Sequence, residues 1–298
     1  MTIDEELARA AEIIRRGGLV AFPTETVYGL GANALDARAI ERIYEAKGRP
    51  ASSPLIVHVA DLDMARAMAS EWPVLAQALA ERFWPGPLTI VVRKAACVPG
   101  EATGGLNSVG IRMPSHPVAL ELIRRAGVPI AAPSANRFMH ISPTTAAHVR
   151  SGLGDRVEMI LDGGPTEVGI ESTVVSLAGE APTLLRPGML TMEDLENATA
   201  VKWSVRKSER DARESPGLHA RHYAPRTPFI LLRPGEARPQ GKGRVLQMPS
   251  DAMRFAERLY AELHEADAEG WDWIAVEAPP DGPEWAGIWD RLRRASTR

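Results

Sequence analysis

The chain has 298 residues, 45% hydrophobic and 24% charged, a balance that suits an ordinary globular protein and excludes a disordered one. A formal net charge of −3 argues against a general polyanion binder while leaving room for a local basic patch. The single cysteine, Cys97, excludes an internal disulfide and a multi-cysteine zinc site, and is expected to be a small buried or half-buried apolar residue.

The N-terminus, M-T-I-D-E-E-L, is acidic and lacks the apolar segment of a signal peptide, and no later run approaches the ~20 apolar residues of a membrane span. A cytoplasmic protein is expected. Residues 4–16 read as a helix with Leu7, Ala10, Ala11 and Ile14 on one face, ended by Gly17 and Gly18. L-V-A-F reads as the first strand. The polar stretch that follows it contains Thr24, Glu25 and Thr26 and reads as a loop. Asp36 caps a second helix, with Ile40, Ile43 and Tyr44 at helical spacing up to Gly48. L-I-V-H-V is the next strand, followed by helical stretches at 64–69 and 74–83, a break at W-P-G-P, and the strand L-T-I-V-V-R.

S-V-G-I-R-M-P reads as a short strand, 116–126 as a helix, V-P-I-A-A-P-S-A-N as a strand entering a polar turn, and 144–150 as a helix. E-M-I-L-D-G-G and S-T-V-V-S-L are further strands. Several connections are too short for parallel crossovers, so the expected fold is α/β with a twisted, open, mixed sheet flanked by helices. Residues 1–199 form the large unit, and 200–227, charged and proline-rich, read as a linker. Residues 228–298 form a small C-terminal α/β domain: F-I-L-L, R-V-L-Q-M, a long helix at 251–266, W-I-A-V and a last helix to about Arg294. At ~70 residues it is marginal alone and is expected to lean on the first unit.

The chemistry-bearing residues gather around a few loops, each with two readings. Lys47 and Arg49 can be solvated cations satisfying a helix C-terminus; with Pro50 and Pro54 stiffening the chain around Ser52 and Ser53, they also make a donor-rich loop for phosphate oxygens. Arg112, flanked by apolar residues, must reach solvent or a carboxylate, whether of protein or ligand. Ser134, Asn136 and Ser142 suit a turn and helix cap as well as a site. D-G-G-P-T-E-V-G-I-E-S-T-V-V allows close backbone approach to a ligand or a tight hairpin. His58 reads as a core or half-buried strand residue. His219 and His222 have no acidic or cysteine partner in register for a metal. G-E-A-R-P-Q-G-K-G departs from a phosphate loop in glycine spacing, with Gly243 in place of the Ser/Thr that would hold magnesium, and no G-x-G-x-x-G follows a strand.

Together, F-P-T-E-T-V-Y-G-L-G, K-G-R-P with P-L-I-V-H, F-W-P-G-P-L-T, S-V-G-I-R-M-P, A-P-S-A-N with I-S-P-T, G-I-E-S-T-V-V and L-R-P-G resemble the YrdC-like family of threonylcarbamoyl-AMP synthases. S-P-G-L-H-A-R-H-Y-A-P resembles the linker of its long, two-domain form. The resemblance is close from about Gly17 to Gly188 and faint in the C-terminal unit, which looks shortened. It implies condensation of L-threonine, bicarbonate and ATP into threonylcarbamoyl-AMP with release of pyrophosphate. The product would pass to tRNA threonylcarbamoyl-transfer proteins, with magnesium accompanying ATP and no metal ligand assigned to the protein. By motif position, Thr26, His58, Arg112 and Ser172 would contact threonine, with Ala132 lining the pocket. Lys47, Arg49, Ser53, Ser108, Ser134, Asn136, Ser142 and Arg186 would hold ATP, Lys47 and Arg49 acting catalytically on the leaving group. Tyr223 with His222 would reach over the nucleotide from the linker, which would act as a lid. Ser53, Met139 and Ser176 depart from the family pattern. The alternatives are a non-catalytic RNA-binding module, which the acidic charge and missing aromatic platform disfavour, and carbamoyl transfer through carbamoyl-adenylate. Related domains of the latter kind come with zinc-finger cysteines that this chain lacks.

Overall fold

The computed structural model describes residues 2–205, 222–233 and 235–296. Strands β1 (Val20–Phe22), β2 (Gly29–Asn33), β3 (Ile56–His58), β4 (Leu88–Arg93) and β5 (Ser108–Arg112) belong to one large sheet. So do β6 (Ile130–Ala131), β7 (Met159–Ile160), β8 (Thr173–Ser176), β9 (Thr183–Arg186) and β10 (Ser204–Val205). The order is β10-β9-β8-β4-β5-β3-β6-β2-β1-β7, and the pairing is mixed as expected: β3 with β5 and β4 with β8 are parallel, while β4 with β5 and β3 with β6 are antiparallel.

Helices cover both faces, and their ends carry the signals that stop and start them. In α1 (Ile3–Arg15), Thr2 and Glu5 form a capping box, and Leu7, Ala10, Ala11 and Ile14 are buried. They pack with Phe22, Ile130 and helix α5 (Pro117–Ala126) on one face. On the other face, α2 (Ala37–Lys47) is capped by Asp36 and turned off by Gly48 in the left-handed conformation. Its Ile40 and Ile43 join Leu30, Ile90, Ile111 and the Leu79 of α4 (Val74–Phe83). The shorter α3 (Leu62–Ala67), α6 (Ala146–Leu153) and α7 (Met192–Thr199) complete the unit. Cys97 corrects its expectation: it is exposed, because it lies in the loop beyond β4 rather than on an inward-facing position.

The C-terminal unit is a parallel sheet of β11 (Phe229–Leu232), β12 (Gly243–Leu246) and β13 (Trp273–Glu277), ordered β11-β13-β12, with helices α8 (Ala252–Ala268) and α9 (Ala286–Ala295). It leans on the large unit as its size demanded. One apolar cluster joins Phe255, Leu259 and Ile288 of the small unit to Val27, Ile141 and Ile170 of the large one. The approach is close enough to need glycine: a Cβ on Gly287 would stand 2.5 Å from the carbonyl oxygen of Gly188. Of the stretch read as a linker, Ser204 and Val205 pair with Thr183 and Leu184 as β10, and 206–221, including Ser215 and His219, lie outside the described residues.

Candidate active site

Parallel pairing of β3 with β5 sets His58 beside Arg112, and side-chain alternation puts Ile56 and His58 on one face with Ser108, Gly110 and Arg112. A cavity of about 50 Å³ opens over the Arg112 end of that face. Thr26, His58, Arg112, Ala132 and Ser172 line it, together with Arg49, Ser134, Arg186, His222 and Tyr223. Ten of the residues singled out from sequence therefore converge on one wall. Lys47, Asn136 and Ser142 lie behind it, and Ser108 sits some 13 Å further along β5 (four residues at about 3.3 Å each). Ser53, buried near the start of β3, has its carbonyl bonded by the Tyr44 hydroxyl and is not on the wall.

The carboxylate that Arg112 required is internal: Glu25. Arg112 Nη2 stands 2.7 Å from Glu25 Oε1, both side chains 4% exposed, in an ion contact directed off the hydrogen-bond axis. Nη1 donates to Thr26 Oγ1 at 2.9 Å and Nε to the Gly86 carbonyl at 3.3 Å, while Glu25 Oε2 accepts the Ser115 amide. The guanidinium is thereby fixed in orientation while still facing the cavity. His58 is buried between Phe22 and Arg112; burial and then the arginine charge push its pKa down to about 3, so the ring is neutral at pH 7. Ser172 Oγ bonds Thr89 Oγ1 at 2.8 Å, and Arg186 donates from Nη2 to the Ser172 carbonyl at 2.9 Å.

The cavity is strongly cationic. Lys47 Nζ donates to the carbonyls of Ser134 and Asn136, tying the end of α2 to the turn after β6. Burial, then the nearby Arg49, holds this ammonium well below the usual lysine range, a bias that an anion would reverse. Arg49 donates to the Pro54 carbonyl and lies 5.8 Å from the Phe138 ring centre, its pKa lowered to about 10 by burial. Arg186 is likewise lowered by burial. Three arginines on one small buried wall, in a chain of net charge −3, make an electrostatic site for anions.

Sequence reading missed Glu171 and Arg291. Glu171, also on the wall, accepts from Ser142 Oγ at 2.5 Å, from Tyr260 of α8 at 3.1 Å, and from Arg291 Nε of α9 at 2.7 Å. Burial alone would raise its pKa, but Arg291, Arg186 and Ser142 hold it below the ordinary carboxylate value. The run R-L-R-R near the C-terminus looks like a solvated helix end, yet Arg291 is fully buried. Two departures from the family pattern also resolve. Met139 occupies the left-handed region at φ 71°, where glycine is strain-free, and its carbonyl receives the Ala224 amide; Ser176 Oγ accepts the Ala178 amide and serves the turn. Tyr223 also has positive φ, 61°, and its buried hydroxyl has no hydrogen-bond partner among the described residues. No group of three His, Cys, Asp or Glu side chains comes together for a metal among the described residues, and no helix there is long and apolar enough to cross a membrane.

Residues 12–188 match the Sua5/YciO/YrdC family, described as "Telomere recombination", and residues 190–297 match the family described as "Threonylcarbamoyl-AMP synthase, C-terminal domain". The chain belongs to the Sua5/YciO/YrdC family, in its two-domain form. It is 41% identical to a threonylcarbamoyl-AMP synthase of Pyrococcus abyssi over 96% of this chain and 93% of the relative. It is equally identical to one of Bacillus subtilis over 99% and 94%. Its structure is similar to that of P. abyssi Sua5 complexed with L-threonine, with a TM-score of 0.91 at 40% identity, covering 98% of this chain and 94% of that one. The C-terminal unit, faint in the sequence reading, is thus a family domain in its own right.

Proposed function

We propose that this member of the family is a threonylcarbamoyl-AMP synthase, joining L-threonine, bicarbonate and ATP with release of pyrophosphate. The observation that carries the reading is the buried cavity that Arg112, held by Glu25, shares with Arg49 and Arg186, with Lys47 behind it; Arg49 acts electrostatically on Lys47, and Arg186 on Arg49. One half suits an amino-acid carboxylate and the other a triphosphate. Near full-length relatives carry the synthase name, and a relative binds L-threonine.

In this reading Arg112 and Thr26 hold threonine's carboxylate, with neutral His58, Ser172 and Ala132 shaping the pocket. Threonine's neutral amine adds to bicarbonate-derived carbon dioxide, its lost proton and the hydroxide shed by bicarbonate leaving as water, and the resulting carbamate oxygen attacks the α-phosphorus as the bond to the pyrophosphate oxygen breaks. The carbamate is already anionic, so the protein's work is orientation and charge neutralisation rather than strong base catalysis. Lys47, Arg49 and Arg186 offset the negative charge of the leaving pyrophosphate. Magnesium would arrive on the phosphate oxygens; the buried carboxylates here are already committed to arginines, so no protein ligand and no step is assigned to it.

A 50 Å³ cavity is too small for a nucleotide, since small-molecule sites usually offer about 300–1,000 Å³. His222 and Tyr223 therefore withdraw to admit ATP and return over it, a lid that keeps water from the mixed anhydride. The enzyme is taken to work in the cytoplasm and to pass its product to tRNA threonylcarbamoyl-transfer proteins. The RNA-binding alternative finds no support in a set of arginines 2–7% exposed, which cannot meet a nucleic-acid backbone.

The decisive experiment is mass spectrometry of products after incubation with ATP, magnesium, L-threonine and isotopically labelled bicarbonate. Threonylcarbamoyl-AMP carrying the label, with one pyrophosphate per product, is expected. ATP turnover indifferent to threonine, or an adenylate without the label, would overturn the assignment.

A further inference from the structure

The small domain reaches into the site through one buried arginine. Arg291 has its donors engaged: Nε on Glu171 Oε2 at 2.7 Å, Nη2 on the Glu171 carbonyl at 3.1 Å, and Nη1 on Asp290 Oδ2 and the Pro187 carbonyl, both at 2.9 Å. Its flat face lies 5.4 Å from the centre of the Tyr223 ring. A guanidinium so fully satisfied is immobile, and it immobilises what it touches.

What it touches is the wall of the cavity. Glu171 passes the constraint on, because its other oxygen accepts Ser142 Oγ. Ser142 is held a second time from the small domain, where His264 Nε2 donates to its carbonyl at 3.1 Å. Only two contacts separate Arg291 from Ser142, one of the residues assigned above to the nucleotide. Charge gives a second route. Glu171 acts electrostatically on both Lys47 and Arg186, the cations assigned to the triphosphate. While Arg291 claims the carboxylate, those cations remain available to a ligand. Without it, the carboxylate would turn toward them and compete with phosphate.

We propose that Arg291 is a positioning residue for the nucleotide half of the site: by sequestering Glu171 it frees Lys47 and Arg186 for phosphate and fixes Ser142, so that seating the C-terminal domain and completing the ATP pocket are one event. The inference rests on the synthase reading above, and it assigns the C-terminal domain a part in substrate binding. The threonine half is anchored by Arg112, Glu25 and Thr26, and meets this chain of contacts at Ser172, beside Glu171 and bonded by Arg186, so its dependence on Arg291 is the weaker one.

The test is calorimetric binding of a non-hydrolysable ATP analogue with magnesium and, separately, of L-threonine to the full chain, alongside thermal unfolding. Arg291→Met is expected to weaken the analogue about 10- to 100-fold, the range for losing a hydrogen bond to a charged group, with threonine within about threefold of wild type. Arg291→Lys should recover part of the loss. If Arg291→Met does not fold, Tyr260→Phe decides by the same criterion, since it deletes one hydroxyl contact to Glu171 and keeps the ring. A lowered melting temperature with the analogue's affinity unchanged means the arginine is only structural and overturns the proposal, as does an equal loss for both ligands. A wild-type chain that binds no ATP analogue removes the synthase reading and this inference together, whereas wild-type binding that the variants preserve removes this inference alone.

Discussion

Replacing Arg112 perturbs two things, and the geometry separates them. Arg112→Met strands the Glu25 carboxylate in a site where both partners are 4% exposed, and breaking a buried pair from one side costs about 3–5 kcal/mol. At about 2–4 °C per kcal/mol for a unit of this size, the melting temperature should fall by roughly 6–20 °C. If the guanidinium also clamps threonine's carboxylate, affinity for threonine drops by a further 2–4 kcal/mol or so, roughly 30- to 1,000-fold. Adding Glu25→Gln removes the stranded charge, so the double variant should regain most of its stability and none of its threonine affinity. Thermal unfolding and threonine titration on wild type, both single variants and the double variant complete the cycle. ATP affinity should stay within about threefold throughout, since the contacts of Arg112 go to Glu25, Thr26 and the Gly86 carbonyl and those of Lys47 and Arg49 to other carbonyls. Recovery of threonine binding in the double variant would refute the clamp and leave Arg112 a structural partner of Glu25.

Three further outcomes are expected. Burial and the stacked His148, whose ring centre is 3.9 Å away, hold His264 at about 4 against an ordinary 6.5. Because the unfolded chain takes up this proton first, the contribution is whole above pH 6.5 and is lost as pH falls to 4, up to about 3 kcal/mol. His264→Phe, which keeps the stack, should shrink that slope in urea unfolding across the window, with the remainder due to His58 and other buried histidines; an unchanged slope would be inconsistent with the assignment. Gly287→Ala should destabilise by about 1–3 kcal/mol through its clash with the Gly188 carbonyl, although alanine is the better helix former; a more stable variant would show that the interface yields. Tyr223→Phe deletes a buried hydroxyl without a partner among the described residues, so chemical denaturation should show equal or higher stability while ATP affinity falls about tenfold. A stability loss beyond about 1 kcal/mol would mean that the hydroxyl has a structural role.

Helices with a clean apolar stripe and explicit ends, α1, α2, α5 and α8, were legible in the chain because local chemistry decides them. Strand β2 was not: G-L-G-A-N has the look of a loop. Its glycines are there for packing, since a Cβ on Gly31 would stand 2.7 Å from the Phe22 ring across the β1–β2 pair. Helix α7 went unread despite a capping box between Thr191 and Asp194, because a single buried residue, Leu195, gives it no stripe to detect. Residues of the site could be named from their motifs, but their partners could not. Arg112 announced its need for a carboxylate and gave no hint that Glu25, far away in sequence, supplies it. Arg291 is further hidden, since nothing in R-L-R-R distinguishes the buried arginine from its neighbours. Such pairs are decided by strand order and domain seating, which composition and spacing do not encode.

The main-chain contact between Gly188 and Gly287 limits how the two halves of this protein can move. Surfaces joined by long side chains can slide, each rotamer yielding a little, but main chain set against main chain has no rotamer to yield. Sliding along this seam therefore gives no room for a large ligand, and the yielding falls to the segment that carries His222 and Tyr223.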